Sequence, residues 1–296
     1  MSDALKSFWP ASAGIQLEEK TVPSSFHGPG AAEQKDRAAG SPCQPAPYAV
    51  PAHVAESLRR HNACIGSSLQ RSFQRVFSLY LYGPMAFLLV HALFKVRVEG
   101  RERIARLSGS SILAIRHFYE WDPLLSLPVL LWRDALTKQH LVPLSLAGQF
   151  WTRTAFMRAI SWLCGIIAFI KGHEPEAGGI RRASELLDNG NAATVTIYPT
   201  GPIGQSKEYQ VWRGIGYLGV RCPDVPIIPV SIQGLQELHL ASWRSLRRPE
   251  LKFIVGQPFY ASEIHASSTE EWIDRIRERL TAAWTCLENG KQKRAE

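Results

Sequence analysis

His117 and Asp122 follow the apolar run Ser111–Ile115, with Phe118, Tyr119, Glu120 and Trp121 between them. A strand over that run would deliver both side chains at its C-terminal end, where α/β sheets hold their sites. A turn there can bring the Asp122 carboxylate onto one imidazole nitrogen. The other nitrogen can then take a proton from a hydroxyl, which is general-base chemistry. The same residues also suit a turn histidine that caps a helix starting at Asp122-Pro123. A second candidate is the loop Tyr198-Pro199-Thr200-Gly201-Pro202-Ile203-Gly204, directly after the β-rich run Ala193–Tyr198. Such a loop exposes backbone N–H groups and can approach a ligand closely, although its composition equally fits an ordinary turn. A third, Val225-Pro226-Ile227-Ile228-Pro229-Val230, reads by itself as a buried strand bracketed by prolines.

The elements that must position these residues alternate in type. Short β-rich runs occur at Ser111–Ile115, Ile166–Ile170, Ala193–Tyr198, Pro226–Ile232 and Leu251–Val255. Helical stretches lie between them near 149–164, 175–189 and 208–221. Strands alternating with helices predict an α/β fold, with a mostly parallel (mixed) sheet flanked by helices. A last helix is announced by a capping box, Ser268 with Glu271. Trp272, Ile276, Leu280, Ala283, Trp284 and Leu287 then recur at helical spacing as a packing stripe.

An N-terminal helical pair is expected before the sheet. Residues 52–74 read as a basic helix with Arg59, Arg60 and Arg71, and Val76 to Phe94 is a mainly apolar run without a charge. That run is long enough to suggest a transmembrane helix. Gly83-Pro84 interrupts it, Ser78 and His91 sit inside it, and too few residues follow Pro84 to cross alone. The expectation is two short helices, broken at Gly83-Pro84, lying in a membrane interface or packed on the core. Residues 1–50 are rich in Ala, Pro, Ser and Gly without a sustained period, which reads as a disordered tail. The expected organisation is therefore a tail over 1–50, a membrane-associating segment over 51–95 and a catalytic domain over 96–290.

The whole chain has 296 residues, 45% hydrophobic and 20% charged, which excludes collagen-like, mostly disordered and disulfide-scaffold classes. The net charge is +8, and the first fifty residues hold four basic and five acidic side chains, so the excess lies in the body. A basic body with nine Trp favours anionic partners, and a lipid surface among them. No zinc motif, RNA-recognition signature or basic heptad region supports nucleic-acid binding. Five cysteines without a C-x-x-C pair argue against a disulfide framework or metal cluster and for a reducing compartment. The N-terminus lacks the basic flank and apolar core of a secretory signal.

The order of the blocks resembles the glycerophosphate and lysophospholipid acyltransferase family over about residues 95–260. The family's H-x-x-x-x-D is matched by His117 and Asp122. Its G-x-I-x-x-x-R resembles Gly165-Ile-Ile-Ala-Phe-Ile-Lys171, and its F-P-E-G-T-R-S resembles Tyr198 to Gly204. Its V-P-[IV]-[IV]-P-V is Val225 to Val230. Trp212-Arg213-Gly214 looks like the F-K-x-G element, and Ile254 to Pro258 like the closing strand and G-x-P turn. Three departures stand out. Thr200 replaces the Glu of the third block, Ile203 replaces its Arg, and Lys171 replaces the Arg of the second block, keeping a cation without the bidentate fork.

The resemblance implies an O-acyltransferase with His117 as base and Asp122 as its orienting partner. Lys171, Thr200, Gly201 and Arg213 are implied as substrate-binding residues. The co-substrate is an acyl thioester, acyl-CoA or acyl-ACP (acyl carrier protein), with no further cofactor and no metal. The acceptor is a lysophospholipid-like hydroxyl. The altered third block leaves open a non-phosphate acceptor (another lipid, a polyol or an amine) and a non-catalytic member that binds lipid or acyl carrier. The implied location is the cytoplasmic side of a membrane, peripheral or monotopic.

Overall fold

Among the described residues a seven-stranded sheet organises the chain, and its strand order explains how distant sequence blocks share one edge. The computed structural model describes residues 52–107, 109–116, 126, 129–132, 142–148, 154–169, 178–188, 193–200, 211–234 and 248–288. The chain divides into two units, Met1–Ala46 and Pro47–Glu296. The first, with the expected tail, lies outside the described residues.

The elements are α1 (Ala52–Cys64), α2 (Ser68–Val76), a π-helical turn (Phe77–Tyr82), α3 (Gly83–Leu93), β1 (Lys95–Glu99), α4 (Arg101–Ala105), β2 (Ser111–Ile115), β3 (Val142–Gly148), α5 (Ala155–Leu163), β4 (Ile166–Phe169), α6 (Gly179–Asp188), β5 (Ala193–Ile197), α7 (Arg213–Arg221), β6 (Ile227–Gln233), β7 (Glu250–Val255) and α8 (Thr269–Glu288). The sheet order is β1-β7-β6-β2-β5-β3-β4. From β6 to β4 every pair is parallel, with Ile112 opposite Val195 on one side and opposite Ile227 on the other. β7 runs antiparallel to β6, with Val230 opposite Val255, and β1 is parallel to β7. The mixed α/β sheet expected from the sequence is therefore present, with the helical pair before it.

Ile112, Leu113, Ala114 and Ile115 are all fully buried, so β2 is covered on both faces, as a central parallel strand must be. Ile112 and Ala114 join one core with α6, α7 and α8, through Ile180, Ile215 and Ile276. Leu113 and Ile115 join the other, with Val90 of α3, Leu130 and Phe253. Pro229 lies within β6 without costing a ladder bond. β7 pairing begins one residue later, and the Pro229 carbonyl accepts from Gly256 N–H at 2.7 Å.

The start of α8 keeps the Ser268 half of the capping box, while the return bond of Glu271 goes one residue earlier, to Ser267. Ser268 Oγ accepts from Glu271 N–H at 3.2 Å, and the Glu271 carboxylate accepts from Ser267 N–H at 2.8 Å. The break expected at Gly83-Pro84 does not occur. Ser68 to Leu93 is one continuous helical stretch. The wide turn ahead of Pro84 is the reason: Gly83 N–H bonds Ser78 O, five residues back, which opens the ladder where proline cannot donate. Glycine is required at 83 because a Cβ there would strike the Trp132 ring and the Ser78 carbonyl.

Side chains of the helical pair complete the free edge of the sheet. β4 is that edge, and Ile166 and Ala168, two residues apart, turn backbone groups outward. His61 Nε2 meets Ile166 O at 2.9 Å. Asn62 behaves as an added strand residue, donating to Ala168 O at 2.8 Å and accepting from Ala168 N–H at 2.9 Å. Further along, Gln70 Nε2 donates to Trp162 O at 2.8 Å and Gln74 Nε2 to Cys164 O at 3.4 Å. Burial holds the His61 imidazole below the usual histidine range, with the bond to Ile166 opposing.

Candidate active site

Parallel strands place their C-terminal ends on one edge, so the blocks that follow β2, β4 and β5 leave the sheet on the same side. His117 follows Ile115 by two residues, Lys171 follows Phe169 by two, and Thr200 and Gly201 come just after Ile197. His117, Asp122, Lys171 and Gly201 themselves lie outside the described residues. The topology brings their attachment points to one edge, and the described residues around them form the frame.

Three contacts tie the frame together. Trp212 N–H donates to Pro199 O at 2.7 Å, joining the start of α7 to the loop after β5. The Trp212 ring stands edge-on to Phe169, the last residue of β4, with centroids 6.1 Å apart. The Tyr198 hydroxyl and Ser126 Oγ are 2.8 Å apart and both residues are buried, linking the end of β5 to the segment after Asp122. Tyr198 stands where the resembled family has Phe, so this bond belongs to the residue that differs.

Of the expected substrate-binding residues, Thr200 is half-buried at the turn after β5. Arg213 opens α7, where it pairs with Glu270 of α8 and lies over the Tyr217 ring at 5.6 Å. Its side chain remains 44% exposed, so the guanidinium can still meet an anion.

Arg116, which the motif reading passed over, directly follows β2 and precedes His117. It is buried and ion-paired with Glu288, the last residue of α8. Glu288 Oε1 also accepts from Ser231 Oγ at 3.4 Å. The only sequence signal was a cation closing an otherwise apolar run.

The buried thiols of Cys164 and Cys222 are each pushed up to about 12, in both cases chiefly by burial, so neither offers a thiolate nucleophile near neutral pH. Among the described residues no group of three or more His, Cys, Asp or Glu is placed to hold a metal ion.

Comparison with known proteins adds a match to a family model and a likeness to a solved structure. No curated protein matches the sequence. Among solved structures the chain is similar to the 1-acyl-sn-glycerophosphate (LPA) acyltransferase, PlsC, from Thermotoga maritima, at 18% identity. The match covers 82% of this chain and 98% of that one, with a TM-score of 0.49. The Acyltransferase family model matches residues 95–233, which begin with the first residue of β1 and end with the last of β6. The stretch from β1 to β6 thus matches an acyltransferase domain over just under half of the chain.

Proposed function

We propose that the protein moves a fatty acyl group from an acyl thioester, acyl-CoA or acyl-ACP, to the hydroxyl of a lysophospholipid-like acceptor. The observation that carries this reading is the shared C-terminal edge of β2, β4 and β5 within the acyltransferase domain. It gathers the attachment points of the His117–Asp122, Lys171 and Thr200–Gly201 blocks.

In this mechanism His117 takes the acceptor hydroxyl proton while the oxygen attacks the thioester carbonyl carbon. Asp122 orients the imidazole and stabilises its cation. Backbone N–H groups at Gly201 and its neighbours stabilise the oxyanion. As the intermediate collapses, the C–S bond breaks and the leaving thiolate takes the proton from the imidazolium. No acyl-enzyme is formed. Lys171, Thr200 and Arg213 bind the acceptor's head group or the donor's phosphates, with Lys171 acting as a point charge where the resembled block has a forked Arg.

The helical pair supports work at a lipid surface. The stretch Ser68–Leu93 is long and apolar enough to cross a membrane by length and composition. Its polarity is inverted relative to a water-facing helix. Gln70 and Gln74 are buried against the domain, while Leu69, Phe73, Val76, Leu81, Met85 and Leu88 are each more than half exposed. An apolar outward face of this length fits lipid. Its inner face is held to the domain by Gln70, Gln74 and Val90, which favours a monotopic helix lying along the surface over one that leaves the domain to span. Arg248 reaches the same helix, donating to His91 O at 3.0 Å, and brings a cation to the lipid side. Use of acyl-CoA or acyl-ACP as donor supports a position on the cytoplasmic side.

The test offers acyl-CoA and acyl-ACP with lysolipids, polyols and amines, and follows thioester loss and product mass for the wild type and His117→Ala. The expected result is an acylated lysolipid from the wild type and none above background from a folded His117→Ala. Turnover by His117→Ala close to wild type overturns the mechanism. A wild type that binds thioester without consuming it overturns the enzyme reading in favour of a binding role.

A further inference from the structure

We propose that Arg116 and Glu288 are a positioning pair for the catalytic end of β2, so that α8, outside the matched domain, takes part in building the active site. The inference rests on His117 being the general base, as proposed above.

Arg116 is the residue before His117 in sequence, and its backbone is fixed by N–H donation to Val230 O at 2.9 Å. Its side chain is 6% exposed and that of its partner Glu288 is 29% exposed. Ser231, fully buried on β6, supplies the third member through its hydroxyl. A strand end, its neighbouring strand and the last turn of α8 therefore meet at one charged pair.

A buried ion pair is a poor device for stability, since apolar residues of similar volume fill such a space as well or better. What the pair supplies is a single orientation. The guanidinium must face Glu288 at the C-terminal end of a helix, where a cation is also favoured by the helix dipole. Arg116 is thus held through both its backbone and its side chain, and His117 is the next residue in the chain.

The pair also sets the charge beside the base. Facing Arg116 are Glu288 from α8 and Ser231 from β6, and β6 contributes no charged side chain. The sequence adds Glu120 and Asp122 on the segment that holds His117. Removing the Glu288 charge leaves the cation less compensated, which disfavours a protonated imidazole nearby. Removing the Arg116 charge does the reverse.

The experiment uses the full-length protein as Glu288→Gln, Arg116→Met and the double variant, with folding checked by circular dichroism and thermal unfolding. Two readouts are taken: kcat and KM for thioester transfer, and direct titration of the His117 imidazole by NMR in histidine-labelled protein, assigned with His117→Ala. For Glu288→Gln we expect kcat to fall by about tenfold or more with KM little changed, because small displacements of a reacting group are costly. The imidazole titration should shift down in Glu288→Gln, up in Arg116→Met, and return toward wild type in the double variant. Unmoved titrations with kcat within about twofold of wild type in the folded single variants overturn the proposal and leave the pair a packing feature. If the wild type turns over no thioester, the acyl-transfer reading fails separately. The titrations then decide the positioning role: opposite shifts uphold it and coincident curves overturn it.

Discussion

Asn62→Ala should be among the most damaging single changes to the fold outside the hydrophobic core, and its cost can be worked from two bonds. Asn62 is 3% exposed and satisfies both backbone groups of Ala168, donating at 2.8 Å and accepting at 2.9 Å. Truncation leaves a buried N–H and a buried C=O without that partner, and each such group costs about 1–3 kcal/mol. Against this stands a helix-propensity gain of roughly half a kcal/mol for Ala in α1. The net loss should be about 1.5–5.5 kcal/mol, a large share of the ~5–15 kcal/mol typical of a domain. Asn62→Asp should be no milder. Its carboxylate can still accept from Ala168 N–H but turns a second anionic oxygen against the Ala168 carbonyl. The assay is urea unfolding of the three proteins, with hydrogen exchange at the Ala168 amide as the local probe. A loss below about 0.5 kcal/mol for Asn62→Ala, with Ala168 as protected as before, would refute the idea that α1 completes the edge of the sheet.

Two further outcomes follow from the surface and from the start of α8. Leu81 and Leu88 are 59% and 67% exposed on the outward face of the long helix. Converting both to Asp should leave thermal unfolding in solution nearly unchanged while weakening binding to anionic lipid vesicles by about a hundredfold or more, since each buried Leu contributes about 1.5–3 kcal/mol. Flotation with vesicles measures it, and undiminished binding would show that this face is not the docking surface. The Glu271 carboxyl is held down at about 2 by its bonds from the Ser267 hydroxyl and backbone N–H, aided by Arg275. Because its folded value is depressed, its contribution is fully present above the ordinary 4.5 and is lost as pH falls toward about 2. The difference in urea midpoint between wild type and Glu271→Gln should therefore be constant above that window and close within it, and a pH-independent difference would contradict the assignment.

The parts of this fold that the sequence discloses are those whose environment is uniform. β2 and β5 are covered on both faces, so β2 is an almost wholly apolar run and β5 a run rich in β-branched residues, and both stand out without knowledge of their partners. β1 lies at an edge, alternates charged Lys95, Arg97 and Glu99 with two valines, and was passed over. β3 carries Pro143, Ser145 and Gly148 and has no strand-like signature of its own, since its pairing is imposed by β4 and β5 on either side. The motif blocks were legible because local order along the chain maps directly onto one sheet edge when the strands are parallel. The residues that brace that edge were not, because each needs a partner far along the chain. Arg116 acquires meaning only beside Glu288, and Tyr198 only beside Ser126. Polarity misleads most in the helical pair. His61, Asn62, Gln70 and Gln74 are polar, yet all are buried where the sheet edge and the turn after α5 need donors and acceptors. The apolar residues beside Gln70 and Gln74 on the long helix are correspondingly displaced outward. One need, satisfying β4 and that turn with side chains, thus accounts for both the buried amides and the apolar outward face proposed to meet lipid.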